Sequence, residues 1–293
     1  MALLLHALLA AAAAADGVPT EPKALAKLVG DAFFKEAMPP GVNQGMLAWN
    51  YGAALILDGM FESVAQFGFD DWVPQMSKYM DAYTAEKACR GYKLAHNITM
   101  PWDSAVGDQT GLFPISFLQR ALYNKDLSGA DMAIANLTAD HYILQWPKRL
   151  ADGTFSRQTG GDWPGENSTK VGSFVWGDDQ TMGTVLVARM APLFKRADYS
   201  AEVTRQQIGF AARLRDPKDG LNYHGYNDKD GHVSCCKWGR ANGWGMLGHA
   251  EALQSMAAWP AGYPDEDRCE KHLLLSLRCR YPQILNLPMT GSE

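Results

Sequence analysis

The chain has 293 residues, 47% of them apolar and 20% charged, with a formal net charge of −5. That supplies a sizeable core, and the acidic balance excludes nucleic acid as a partner, which requires a basic stripe against phosphates. The 9 Trp, 11 Tyr and 11 Phe exclude a solvated coil.

In chain order, an apolar run from Met1 ends in small residues at Ala13-Ala14-Ala15, just before Asp16. A bilayer span takes about 20 apolar residues, so residues 1–15 read as a secretory signal peptide rather than a membrane helix. A buried N-terminal helix is the bland alternative. Sequons at Asn97, Asn136 and Asn167 agree with export and with a secreted glycoprotein. No second run approaches membrane length, so no membrane partner is expected once the leader is removed. The five cysteines contain no C-x-x-C pair, which argues against zinc. Adjacent Cys235 and Cys236 are expected to pair with different partners or to stay as buried thiols.

Helical periodicity dominates the remainder. It predicts helices over 22–37, 46–66, 70–87, 109–124, 128–146, 179–195, 199–214 and 241–258. Pro114 and Pro192 are expected to kink or shorten two of them. Loops at 98–108, 151–175 and 216–238 are long for a bundle and rich in aromatic and polar residues, which suggests a shared functional rim. Hairpins joined alternately by short and long loops fit an all-α, six-hairpin (α/α)6 toroid. No boundary divides its glycosidase-like domain, taken as 16–263, and an atypical tail covers 264–293. A short internal repeat relates Gly107-Asp108-Gln109-Thr110-Gly111 to Asp179-Gln180-Thr181-Met182-Gly183. It places an Asp at the start of two inner helices.

Three constellations carry chemistry. Asp178 and Asp179 follow Trp176-Gly177 and open a helix. Such a pair is ordinarily an N-cap plus a first-turn carboxylate. Beside an indole, and with Asp108 as a second carboxyl, it also fits the acid/base equipment of glycoside hydrolysis. Lys237-Trp238-Gly239-Arg240-Ala241-Asn242-Gly243-Trp244 offers indole faces for sugar C–H surfaces and a guanidinium fork for a carboxylate. Core packing for both Trp stands evenly against that reading. His224, between Tyr223 and Gly225, is placed to project into a cleft or to sit in a surface turn. His141 and His249 read as packing residues. Trp49 and Tyr51 offer a further sugar platform, with core packing as the default.

The block Trp176-Gly177-Asp178-Asp179-Gln180-Thr181-Met182-Gly183 resembles the unsaturated glucuronyl and rhamnogalacturonyl hydrolases, glycoside hydrolase families 88 and 105. Asp219-Gly220-Leu221 with His224-Gly225, and then Trp238–Trp244, match two further signatures in the same order. The resemblance implies an (α/α)6 barrel whose enzymes remove 4,5-unsaturated uronic acid from lyase-generated oligosaccharides by hydrating a vinyl ether, with no metal and no organic cofactor. By motif, Asp178 falls two residues after Trp and four before Met, which makes it the general acid/base. Asp179 competes for that role because it aligns with Asp108 in the internal repeat. Asp108 matches the second carboxylate, and His224, Trp238, Arg240 and Trp244 match substrate-contacting positions. Two departures stand out. The loop 153–172 lacks the His that many members carry there, and Arg157 or Lys170 is a substitute. Only residues 245–293 follow the last block, and eight helices, with a ninth at 265–280, fall short of the twelve of a full ring. A different (α/α)6 glycosidase, mannanase-like, and an inactive carbohydrate-binding fragment are the rival readings.

Overall fold

The computed structural model describes residues 19–37, 51–84, 111–146, 148–159 and 172–256. The chain falls into two compact units, one of residues 1–102 with 112–136, the other of residues 103–111 with 137–293.

In the first unit, α1 (Pro22–Ala37), α2 (Tyr51–Phe67), a 3-10 turn (Asp70–Trp72), α3 (Val73–Thr84), α4 (Pro114–Asn124) and α5 (Ala130–Leu137) follow in order. Leu57, Met76, Met80, Phe113 and Phe117 are fully buried and form its centre. The Trp72 indole lies 4.5 Å from the Phe69 ring, and a Cβ on Gly30 of α1 would sit 2.3 Å from it, so only glycine fits there. Arg120 of α4 grips Asp131 with two prongs at 2.7 and 2.6 Å and reaches Asp81 at 2.7 Å. Pro114 sits at the first position of α4, where its missing N–H breaks no bond, so the helix starts there and is not kinked. Lys125 ends α4 in the left-handed region, φ 54° and ψ 32°.

In the second unit α5 gives way to a π-helical segment, Thr138–Ile143. Then come β1 (Arg157–Thr159), β2 (Gly172–Trp176), α6 (Asp179–Met182), α7 (Val185–Phe194), α8 (Ala197–Leu214), β3 (Gly225–Asn227) and α9 (Gly239–Met256). Helix α7 is apolar nearly all round: Val185, Leu186, Val187, Ala188 and Met190 are buried, as an internal helix requires. It packs on both α8 and α9. Pro192 lies inside α7, which ends two residues later and closes on Lys195 in the left-handed region. The helix expected over 179–195 is broken at Gly183-Thr184. A Cβ on Gly183 would stand 2.6 Å from the Phe155 ring, so the aromatic presses into the gap between α6 and α7.

Buried polar groups dock the 148–156 loop on α8. The Gln206 Oε1 accepts the Phe155 N–H at 2.8 Å, and its Nε2 donates to Gly153 O at 2.9 Å. Arg149 donates to Glu202 at 2.6 Å and to the Ile143 carbonyl at 2.8 Å. The loops expected over 151–175 and 216–238 supply an antiparallel sheet ordered β1-β2-β3, with Arg157 opposite Phe174 and Trp176 opposite Gly225. His141, expected to pack, is instead exposed on the π segment beside Gln145, whereas His249 is buried.

Candidate active site

The central strand β2 delivers Trp176 and then, after one glycine, the two aspartates at the start of α6. The Gly177 N–H donates to His224 O at 2.7 Å, and a Cβ there would lie 3.1 Å from that oxygen, a tight approach that glycine relieves. The strand end and the 216–238 loop are thereby drawn together.

The adjacent aspartates take opposite roles. Asp178 occupies the N-cap position but makes no capping bond with its side chain. Its Oδ1 lies 3.3 Å from His224 Nε2, with a tenth of the side chain open to solvent. Asp179 has no exposed side-chain surface, and the Arg157 guanidinium from β1 holds it at both oxygens, 2.7 and 2.6 Å. A two-pronged ion pair of this kind fixes geometry as well as charge.

Three rings and two guanidinium groups continue from Asp178. The His224 ring lies 3.9 Å from Trp176 and 4.8 Å from Trp238. Arg240 stacks on the Trp238 indole at 3.6 Å, and Arg157 flanks Trp176 at 5.7 Å. Arg240 itself is exposed, so its fork faces solvent while the indole holds its plane. The assembly is a wall of π surfaces that runs from Arg157 through Trp176, His224 and Trp238 to Arg240, with the Asp178 carboxyl set against its middle ring.

A second set of charges holds the far side of the wall. Lys237 Nζ lies 2.5 Å from Asp216 and 2.6 Å from Asp219, and the Tyr223 hydroxyl donates to Asp216 at 2.9 Å. The bond from Lys237 holds the Asp216 carboxyl down at about 2, helped by the Lys218 N–H, and the same contact raises Lys237 above the usual lysine range. Asn242 of α9 accepts the Asn222 N–H at 2.8 Å and donates to Asn222 O at 3.0 Å, tying this loop to the helix that carries Arg240. Buried Ser234 accepts the His224 N–H at 2.9 Å.

The structure thus brings together Asp178, Asp179, His224, Trp238 and Arg240. Trp244, one turn beyond Arg240 on α9, is half-buried, and its carbonyl accepts the Thr181 hydroxyl of α6. Tyr51 opens α2 in the first unit. Asp108, Trp49 and Lys170 lie outside the described residues, as do Cys89, Cys269, Cys279, Asn97, Asn167 and the leader. Arg157, a candidate to replace the missing histidine, is the partner of Asp179. Cys235 and Cys236 are exposed, contrary to the expected burial, because they sit in a surface loop between β3 and α9. Ser234 and Asp216 escaped the sequence reading, since a serine and an aspartate in a polar loop carry no periodic signal.

The sequence model of Glycosyl Hydrolase Family 88 matches residues 28–275, and the chain belongs to that family. Among characterised relatives, the unsaturated rhamnogalacturonyl hydrolase YesR of Bacillus subtilis (strain 168) is 38% identical over 79 residues, covering 27% of this chain and 23% of YesR. A possible family 105 member from Salmonella enterica superposes with a TM-score of 0.62 at 18% identity, covering 92% of this chain and 68% of that one. A family 105 glycoside hydrolase from C. acetobutylicum ATCC 824 gives 0.60 at 18% identity, covering 87% and 64%. The chain therefore has the helical six-hairpin class of fold expected from its sequence, and it spans under a quarter of YesR and about two thirds of these solved chains.

Proposed function

We propose that the protein is a hydrolase that removes a 4,5-unsaturated uronic acid from the non-reducing end of lyase-generated oligosaccharides. The observation that carries this reading is the division of labour between the two aspartates. Asp179 is committed to Arg157, while Asp178 faces His224, the middle ring of the aromatic wall. Membership of family 88 and the similarity to YesR support it.

In this mechanism Asp178 gives its proton to C4 of the vinyl ether, and water adds at C5. The Asp178 carboxylate recovers a proton from that water, and the resulting hemiketal opens and releases the remaining sugar. His224 orients Asp178, Trp238 stacks on the sugar, and Arg240 takes the uronate carboxylate in a two-pronged grip. Export through the leader at 1–15 belongs to the same proposal, and Asn136, in one of the sequons, is exposed.

The test is loss of the ultraviolet absorbance of the C4–C5 double bond with pectin-, ulvan- and glycosaminoglycan-derived oligosaccharides. Asp178→Asn is expected to lower turnover by about 10²–10⁴-fold, the usual worth of a general acid, with little change in melting temperature. Near-normal turnover in that variant would move the acid/base role elsewhere. A flat signal from folded wild-type protein on every substrate would favour an inactive carbohydrate-binding role.

A further inference from the structure

Cys235 and Cys236 stand side by side in the loop between β3 and α9, both exposed, with their sulfurs 2.6 Å apart. Neighbouring side chains of an extended strand point to opposite faces, so two sulfurs turned to one side mark a local departure from that arrangement. The backbone is fastened on either flank. Before the pair, the N–H of buried Ser234 donates to Gly225 O at 2.9 Å. The Ser234 hydroxyl accepts from the N–H groups of His224 at 2.9 Å and Gly225 at 3.3 Å, and donates to the Cys236 carbonyl at 3.1 Å. After the pair, Lys237 is anchored by Asp216 and Asp219. The peptide joining the two cysteines therefore lies between two fixed points.

We propose that Cys235-Cys236 is a reversible dithiol–disulfide modification site, oxidised by small-molecule disulfides of the glutathione type, and that its state is felt at His224. One cysteine thiolate attacks the small disulfide, forming a mixed disulfide and expelling one small thiolate. The neighbouring thiolate attacks the protein sulfur of that mixed disulfide, forms the Cys235–Cys236 bond and expels the second small thiolate. The two protons of the cysteines end on the two small thiols, the protein loses two electrons, and the small disulfide gains them. The second step is intramolecular between adjacent residues, so it outruns capture by a distant cysteine.

The coupling follows from chain geometry. A trans peptide sets neighbouring Cα atoms about 3.8 Å apart, below the roughly 4.4–6.8 Å that most disulfides span. Closing the bond must turn the connecting peptide, and the rotation passes through the Cys236 Cα to the next peptide, which carries the Cys236 carbonyl. That carbonyl is the acceptor of the Ser234 hydroxyl, which in turn accepts the His224 N–H. A bond under such constraint is also readily reduced, which makes the modification reversible.

The thiol chemistry stands independently of the proposed function, whereas any effect on turnover rests on it. The full-length protein is incubated with glutathione disulfide, alkylated and digested. The peptide spanning 235–236 should lose the mass of two hydrogens, recover both thiols with dithiothreitol, and carry a persistent glutathione adduct in Cys236→Ser. Two alkylatable thiols after oxidation, or a crosslink from either residue to Cys89, Cys269 or Cys279, would overturn the site. The coupling is read by tryptophan fluorescence, since Trp176 and Trp238 flank His224. A redox-dependent shift is expected in the wild type and its loss in the Cys235→Ser/Cys236→Ser double variant; an unchanged wild-type spectrum over a fully oxidised pair overturns the coupling. If both signals appear while the reduced enzyme turns over no unsaturated oligosaccharide, the failure belongs to the proposed function and the redox site remains.

Discussion

Two cation–carboxylate clamps hold the two sides of the candidate site, and they differ in kind. Arg157 and Asp179 join β1 to the start of α6 through a rigid fork, and the carboxylate is wholly buried. Lys237 is a point charge shared by Asp216 and Asp219, and nearly half of the Asp219 side chain meets solvent. A buried fork fixes one position and tolerates no vacancy, because an uncompensated carboxylate in the interior is costly. A point charge shared with a half-solvated carboxylate holds a loop while letting it adjust. The side that carries Asp178 is thus the rigid one, and the side that carries Trp238 and His224 has give.

Breaking the rigid clamp should produce the largest effect. Arg157→Met leaves Asp179 buried without its cation and should destabilise the fold by about 3–5 kcal/mol, read by denaturant unfolding. Adding Asp179→Leu should restore most of that loss, since an apolar pair of similar volume replaces the ion pair; no recovery would mean that Arg157 acts through its other contacts.

Lys237→Met should cost less stability and act on substrate affinity. We expect KM to rise more than kcat falls, because Trp238 is the next residue and Asp178 is held from the other side. A kcat loss without a KM change would show that the loop sets the chemistry rather than the grip.

The smallest effect is the acid response of the same clamp. Asp216 is held down at about 2 when folded, against about 3.9 for a free aspartate. The folded chain therefore stays ionised where the unfolded chain takes up a proton. The clamp contributes fully above about pH 4 and loses its contribution as pH falls from there through about 2. Acid titration of stability should show this step in the wild type and lack it in Asp216→Asn.

The parts of this arrangement that were legible in the sequence are contiguous. Trp176 through Met182 and Trp238 through Trp244 are single runs in which the chemistry-bearing residues are neighbours, and α1 matches its expected span of 22–37. The different surroundings of Asp178 and Asp179 were not legible, because they depend on Arg157, a residue 22 positions from Asp179 that reaches it across the sheet. The sheet itself escaped notice since β1 and β3 have three residues each, too few to show alternation, and their pairing joins distant polar loops. The π segment and the break at Gly183-Thr184 were read as continuous helix, because an apolar period persists through both while the backbone does not. His141 fell on an apolar stripe drawn for a 3.6-residue repeat, and the wider π turn rotates it out to solvent.

The helix ends at Lys125 and Lys195 carry a consequence for heat tolerance. Both residues adopt the left-handed backbone, with φ 54° and 52°, that side chains with a Cβ resist by about 1–2 kcal/mol. Glycine removes that resistance but widens the unfolded ensemble, so each Lys→Gly exchange should gain at most about 1 kcal/mol, a rise of about 2–4 °C in Tm for a domain of this size. The two positions end helices in different units, so their gains should add. The molecule thus keeps an unspent thermal margin at two exposed lysines, where an evolving lineage can gain endurance without exchanging any residue of the candidate site.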